Sequence, residues 1–221
     1  MTALVGVVVF PGSNCEMDCV ESVGLLGGEG RLLWHGDDDV SGVDAVIVPG
    51  GFAHGDYLRP GAIARFSPVM SAVARFAADG GPVVGICNGF QVLTEAGLLP
   101  GALQKNSGLK FLCQPSTIRV SSENSSLTSR ASVGDELSIP INHFEGNYTC
   151  DSETLAKLRG EDMIVLRYVD NPNGSVDDIA GVCNEGRNVV GLMPHPERAC
   201  NEILGSSDGG VLLGSLLDLA A

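Results

Sequence analysis

Pro82-Val-Val-Gly-Ile-Cys87-Asn-Gly-Phe-Gln91 begins as a short apolar, β-branched run and breaks at a cysteine with glycines close on either side. A helical pattern then takes over from about Gly89 to Ala96. An apolar run of this length with no alternation is the signature of a strand buried on both faces of a parallel sheet, and the abrupt passage into a helix makes the segment one β-α unit. The same unit recurs on the N-terminal side. Leu4 to Phe10 is a continuous apolar strand, Pro11-Gly-Ser-Asn14 is a turn and cap, and Met17, Val20, Val23 and Leu26 recur at helical spacing until Gly27-Gly28. Arg31 to His35 and Ala45 to Pro49 read as strands, and Ile63 to Ala78 reads as a helix ended by Gly80-Gly81.

Strands alternating with helices in this way predict an α/β fold with a doubly wound, mostly parallel sheet, in which ligands bind at the C-terminal ends of strands. From Gly101 to about Asn147 the pattern shifts to short extended pieces, Ser116 to Val120 and Leu137 to Asn142, which predict a small antiparallel insertion. The Ser/Asn-rich stretch from Ser121 to Ser129 reads as a mobile loop. A helix near Ser152 to Leu158, strands at Met163 to Val169, Ile179 to Cys183 and Val189 to Met193, and a helix from Asp208 to Leu219 complete a single domain over residues 1–221.

Composition narrows the partners. The 221 residues carry a formal net charge of −14 spread along the chain, and the 13 basic residues are scattered, which argues against a nucleic-acid partner. Seven cysteines with no C-x-x-C pair suggest neither a disulfide framework nor a four-ligand zinc site, and a reducing cytoplasm fits best. The apolar start runs straight into Pro11-Gly12, too short and wrongly flanked for a signal peptide or membrane span. The N-x-S/T matches at Asn124, Asn147 and Asn173 carry no weight without secretion. Cys15 and Cys19 share a helical face without histidine or acidic partners at ligand spacing, so packing is the expected role and no metal is predicted.

Three strand ends carry chemistry. Gly85-Ile-Cys-Asn-Gly89 has the pattern of a nucleophile elbow, where a helix N-terminus offers free amides to an oxyanion and favours a thiolate. A buried structural cysteine is the alternative. Met193-Pro-His-Pro-Glu-Arg198 restrains His195 between two prolines and sets Glu197 two residues on, where it can steady the imidazole directly or after a small turn. Val48-Pro-Gly-Gly-Phe52 is a glycine pair at a strand end, either an anion-binding nest or a plain turn. Together they outline nucleophile, base, orienter and oxyanion site.

These residues resemble the class I, or triad, glutamine amidotransferases, a flavodoxin-like family with a P-G-G loop, a G-x-C-x-G elbow and a late H-P-E. The resemblance implies Cys87 as nucleophile, His195 as base and Glu197 as its orienter. It implies oxyanion amides near Gly51 and Asn88, and a glutamine pocket involving Gly50, Phe52, Gln91 and His143. Longer strings are similar to the glutaminase subunits of the multi-subunit phosphoribosylformylglycinamidine synthases of purine biosynthesis. They are Phe10 to Cys15, Pro49 to Ala62, Gly85 to Leu99, Tyr168 to Ser175 and Gly191 to Ala199.

That likeness implies L-glutamine as substrate, a glutamyl thioester, and ammonia passed to a large synthetase subunit that uses ATP and magnesium, with a small accessory subunit. No cofactor is implied on this chain, which has no Gly-Lys dipeptide and so no Walker-type phosphate loop. Gly55-Asp-Tyr-Leu-Arg-Pro-Gly61 is the candidate docking loop. Asp170 and Asn171 either touch a partner or shape the local turn. One departure is His143-Phe-Glu-Gly146, where the family has a small residue after the histidine. The rivals are a peptidase or deglycase built on the same elbow, in which a histidine follows the cysteine directly, and a non-catalytic module, which would be expected to lose one of Cys87, His195 and Glu197.

Overall fold

A computed structural model describes residues 2–220. In chain order the elements are β1 (Leu4–Val9), α1 (Glu16–Leu25), β2 (Glu29–Trp34), β3 (Ala45–Val48), α2 (Pro68–Ala78), β4 (Val83–Ile86) and α3 (Asn88–Glu95). There follow β5 (Ala102–Gln104), β6 (Leu112–Val120), β7 (Glu136–His143), β8 (Asn147–Thr149), α4 (Ser152–Gly160), β9 (Ile164–Tyr168), β10 (Ile179–Cys183), β11 (Val189–Leu192) and α5 (Gly209–Ala220).

Nine strands form one sheet in the order β2-β1-β3-β4-β11-β10-β9-β6-β7. The first five run parallel to one another, with Val7 beside Ile47, Val48 beside Gly85, and Ile86 beside Leu192. The apolar runs of β1, β3, β4 and β11 are buried almost throughout, as a sheet covered on both faces requires, while β2 at the edge is largely exposed. The chain goes from β1 outward to β2 and then to the other side of β1 at β3, so the strand order reverses beside β1. The crevice at such a switch point, outside the strands' carboxyl ends, is where open α/β sheets bind ligands. Here the segments leaving β1, β3, β4 and β11 bring together Cys15, Gly51, Cys87 and His195.

The α/β class stands as read from the sequence, and the antiparallel strands have a definite place within it. β6 and β7 extend the far edge of the main sheet by antiparallel pairing through β9, while β5 and β8 make a separate two-stranded sheet. β6 begins four residues earlier than the sequence pattern suggests. Pro115 masks its start, and the structure sets it opposite Pro140 of β7.

Two expectations are corrected. The helix read from Ile63 to Ala78 is broken: Ala64–Phe66 is a 3-10 turn and Ser67 is extended at φ −64°, ψ 140°. Pro68 disfavours a helical Ser67 and itself starts α2. The stretch from Ser121 to Ser129 is not a mobile loop. Leu127 and Thr128 are fully buried, Ser125 Oγ lies 2.7 Å from Thr128 Oγ1, and Arg187 donates to the Asn124 carbonyl at 3.1 Å. Its hydroxyls face one another, which a polarity pattern reads as solvation.

The elbow depends on close packing. A Cβ on Gly89 would overlap the Val48 carbonyl oxygen, and one on Gly85 would sit 2.6 Å from Leu93 Cδ1. Gly89→Ala must therefore push α3 off β3. We expect it to cost about 3 kcal/mol and to lower the melting temperature by roughly 6–12 °C, measured by thermal denaturation of the free chain.

Candidate active site

The backbone of Cys87 sits at φ 50°, ψ −106° between β4 and α3, and its N–H donates to the Leu192 carbonyl at 2.8 Å. A non-glycine residue with positive φ is strained, and strain held by surrounding packing at a strand-to-helix junction is the geometry of a nucleophile elbow, although Cys87 itself is largely buried. Cys87 lines a small cleft, with the Asn142 carbonyl 3.6 Å from its Sγ. Asn88 is the first residue of α3, so its N–H is one of the helix's unpaired donors. The Gly51 N–H has no hydrogen-bond partner among the described residues either.

His195 leaves β11, which lies beside β4 in parallel register. Its N–H donates to the Pro140 carbonyl at 2.8 Å, and Pro196 opens a 3-10 turn that swings Glu197 back under the ring. The result is a His195 Nδ1 to Glu197 Oε1 contact of 2.6 Å with both side chains buried. Burial works against a charged His195. The Glu197 carboxylate, Cys87 and Cys15 together outweigh it and hold the imidazole pKa well above its usual value. His195 Nε2 makes no hydrogen bond among the described residues, and the ring lines the same cleft as Cys87. The arrangement supplies a thiol at a helix N-terminus, a base fixed in one orientation by a buried carboxylate, and free amides nearby.

Comparison with known proteins finds similarity along nearly the whole chain. A CobB/CobQ-like glutamine amidotransferase domain model matches residues 2–208. The chain belongs to that family. This amidotransferase is 59% identical over 213 residues to the phosphoribosylformylglycinamidine synthase subunit PurQ of Rubrobacter xylanophilus, an alignment covering 96% of this chain and 97% of that one. It is 53% identical to the protein of the same name from Koribacter versatilis, with 98% of each chain covered. It superposes on a chain of PurLQS from Thermotoga maritima with TM-score 0.92 and 41% identity, each chain covered in full.

The amidotransferase pocket brings together Gly51, Phe52, Cys87, Gln91, His143 and His195 of the residues expected there. Gly50 lies behind the ring of His195, where a Cβ would come within 2.8 Å of Cε1, and its carbonyl accepts from the amides of Asn14 and Cys15. The side chain of Asn88 turns away from the elbow. It accepts from the Ala53 N–H at 2.9 Å and donates to Asp56 and Gln91 at 3.1 and 2.9 Å. His143 is buried, with Nδ1 3.1 Å from Asn106 Oδ1, and burial followed by the charge of His195 pushes its pKa down to about 4. Gly146 lies flat against that ring and admits no side chain. Phe144, the departure noted in the sequence, joins the pocket wall with Lys105 above its ring.

Asn14, Cys15, Asp56, Phe111, Asn142 and Glu145 also line the pocket and escaped assignment. Asn14 and Cys15 follow the first strand, so the rule that finds the other three strand ends reaches them too. Cys15 is not simply packed: it accepts from Arg198 Nη2 at 3.1 Å and lies beside His195 and Glu197, the three ligand atoms falling within 4.8 Å of one another. Cys19, by contrast, is core. Asn171 spends its side chain on its own turn, accepting from the Asn173 and Gly174 amides and donating to Ser175 and Asp178.

Proposed function

We propose that this chain is the glutaminase subunit of a phosphoribosylformylglycinamidine synthase, with Cys87, His195 and Glu197 as its catalytic residues. The observation that carries the reading is the strained Cys87 at the start of α3 beside a buried His195–Glu197 pair on the adjacent parallel strand end. The relatives from Rubrobacter and Koribacter bear the synthase's name along almost the full length of the chain.

Cys87 thiolate adds to the side-chain carbonyl carbon of glutamine, forming a C–S bond and an oxyanion held by the N–H groups of Gly51 and Asn88. His195 Nε2, protonated and steadied by Glu197, gives its proton to the nitrogen as the C–N bond breaks and ammonia leaves. Water then adds to the thioester with His195 as base. The C–S bond breaks, glutamate departs and the thiolate returns. Net, one glutamine and one water give one glutamate and one ammonia. Gly50 packs against the base, while Phe52, Gln91 and His143 bound the substrate.

These steps require no metal or cofactor on this chain. ATP and magnesium belong to the large synthetase subunit that consumes the ammonia, and the relative solved as PurLQS supports that subunit and a small accessory one as partners. Together they make formylglycinamidine ribonucleotide. The reading treats residues 1–221 as one amidotransferase domain and places it in the cytoplasm. No helix among the described residues is long and apolar enough to cross a membrane.

The test is covalent labelling by the glutamine analogue diazo-oxo-norleucine. Intact mass and a peptide map are expected to give one adduct, on Cys87, suppressed by excess glutamine. An unlabelled Cys87 both in the free chain and with its partner subunits would leave a binding module on this fold as the surviving alternative.

A further inference from the structure

Two carboxylates, Asp56 and Glu145, line the pocket beside Cys87, and no lysine or arginine does. Amide hydrolysis uses neither. Glu145 has Lys105 as an electrostatic neighbour. Asp56 forms no ion pair among the described residues.

Asp56 is nevertheless held in place. Its Oδ1 accepts from Asn88 Nδ2 at 3.1 Å, and that amide is fixed in turn by the Ala53 N–H on its oxygen and by Gln91 Oε1. Gln91 Nε2 donates onward to the Glu145 carbonyl at 2.5 Å. The carboxylate is thus tied to the first turn of the helix that begins at Cys87. Its own backbone is left-handed at φ 51°, between Gly55 at φ 73° and Leu58 at φ 76°. Burial, reinforced by the like charge of Glu145, raises its pKa to about 6 against the opposing bonds from Asn88 and Gly61. A strained, half-buried carboxylate fixed in a binding pocket without a counter-ion is stabilised by a cation that arrives with the ligand.

Free glutamine brings one such cation, its α-ammonium group. We propose that Asp56 selects free L-glutamine by accepting the substrate's α-ammonium while the side-chain amide lies at Cys87. The inference rests on the glutaminase reading and adds its specificity. It also separates this pocket from that of a peptidase, because a glutaminyl residue within a peptide and an N-acylated glutamine lack the ammonium.

Asp56→Asn tests it in the enzyme assembled with its synthetase and accessory subunits. Asparagine keeps the shape, tolerates a left-handed backbone and removes the charge. Two quantities are read: kcat/KM for glutamate release from L-glutamine, and the inhibition constant of 4-carbamoylbutanoate, which is glutamine without its amino group. A lost charge-assisted hydrogen bond is expected to lower kcat/KM about 10- to 100-fold, chiefly through KM, and to leave the inhibition constant within about threefold. The unliganded variant is expected to melt no lower than wild type.

Parallel weakening of glutamine and of the analogue, or a lowered melting temperature with loss of both, would make Asp56 a structural residue and overturn the proposal. So would an unchanged kcat/KM. Failure of the wild-type assembly to release glutamate from glutamine would instead remove the glutaminase reading beneath it.

Discussion

Cys87→Ala in the assembled enzyme is expected to reduce glutamine-dependent product formation by about 10⁴-fold or more, while synthesis from added ammonia continues. The size follows from the loss of a covalent route. Without the thiolate no thioester forms, and water must attack an unactivated amide in a pocket built around a sulfur atom. The oxyanion amides and His195 remain, so the residual rate reports what they contribute alone, and removing His195 as well should subtract little more. Ammonia-dependent synthesis belongs to another chain and bypasses this pocket. Paired measurements of glutamate release and of ammonia-dependent turnover separate the two. Glutamate release at wild-type rate would assign the nucleophile elsewhere, and Cys15, the other thiol lining the pocket, would be the next residue to replace.

The reading of Cys87 was available from sequence because its cause is local. An apolar run ending in a cysteine between glycines has few foldable interpretations, and the structure shows each glycine occupied by a neighbour: Leu93 against Gly85 and the Val48 carbonyl against Gly89. His195 and Glu197 are legible for the same reason, since Pro196 forces the turn that joins them.

The parts that escaped depend on distant partners. Asp56 is tied to the elbow through Asn88, 32 residues away, and His143 is placed through Asn106, 37 residues away. The buried hydroxyls from Ser125 to Thr128 satisfy one another and the β10–β11 turn, so their polarity misreports their position. Pro115 hid half of β6 because a proline is normally excluded from sheet interiors, whereas here its segment pairs only with β7 and lies beyond the stretch that meets β9.

Glu197→Gln is expected to lower glutamine-dependent kcat by about 10²- to 10⁴-fold, with a smaller effect on KM. The two atoms nearest the change are fixed: His195 Nδ1 sits 2.6 Å from Glu197 Oε1, and both side chains are almost wholly excluded from solvent. In the wild type burial penalises the imidazolium most, and the carboxylate, joined by Cys87 and Cys15, outweighs that penalty and holds the pKa well above its usual value. Glutamine removes the charge and leaves the penalty, so the variant's imidazole is neutral at neutral pH and cannot deliver a proton to departing ammonia. The basic limb of the pH-rate profile therefore moves to lower pH.

Stability has a matching sign. A histidine whose folded pKa is raised contributes stability that is fully present below its unfolded pKa near 6.5 and is lost as pH rises through the folded value. Glu197→Gln abolishes that contribution, so the gap in melting temperature between wild type and variant is widest near pH 6 and narrows toward pH 9. Equal gaps at both pH values, or an unmoved basic limb, would show that Glu197 places the ring without tuning its charge. A shift in both, with Cys87 still labelled slowly by diazo-oxo-norleucine, identifies the buried carboxylate as the source of the proton-transfer capacity of His195.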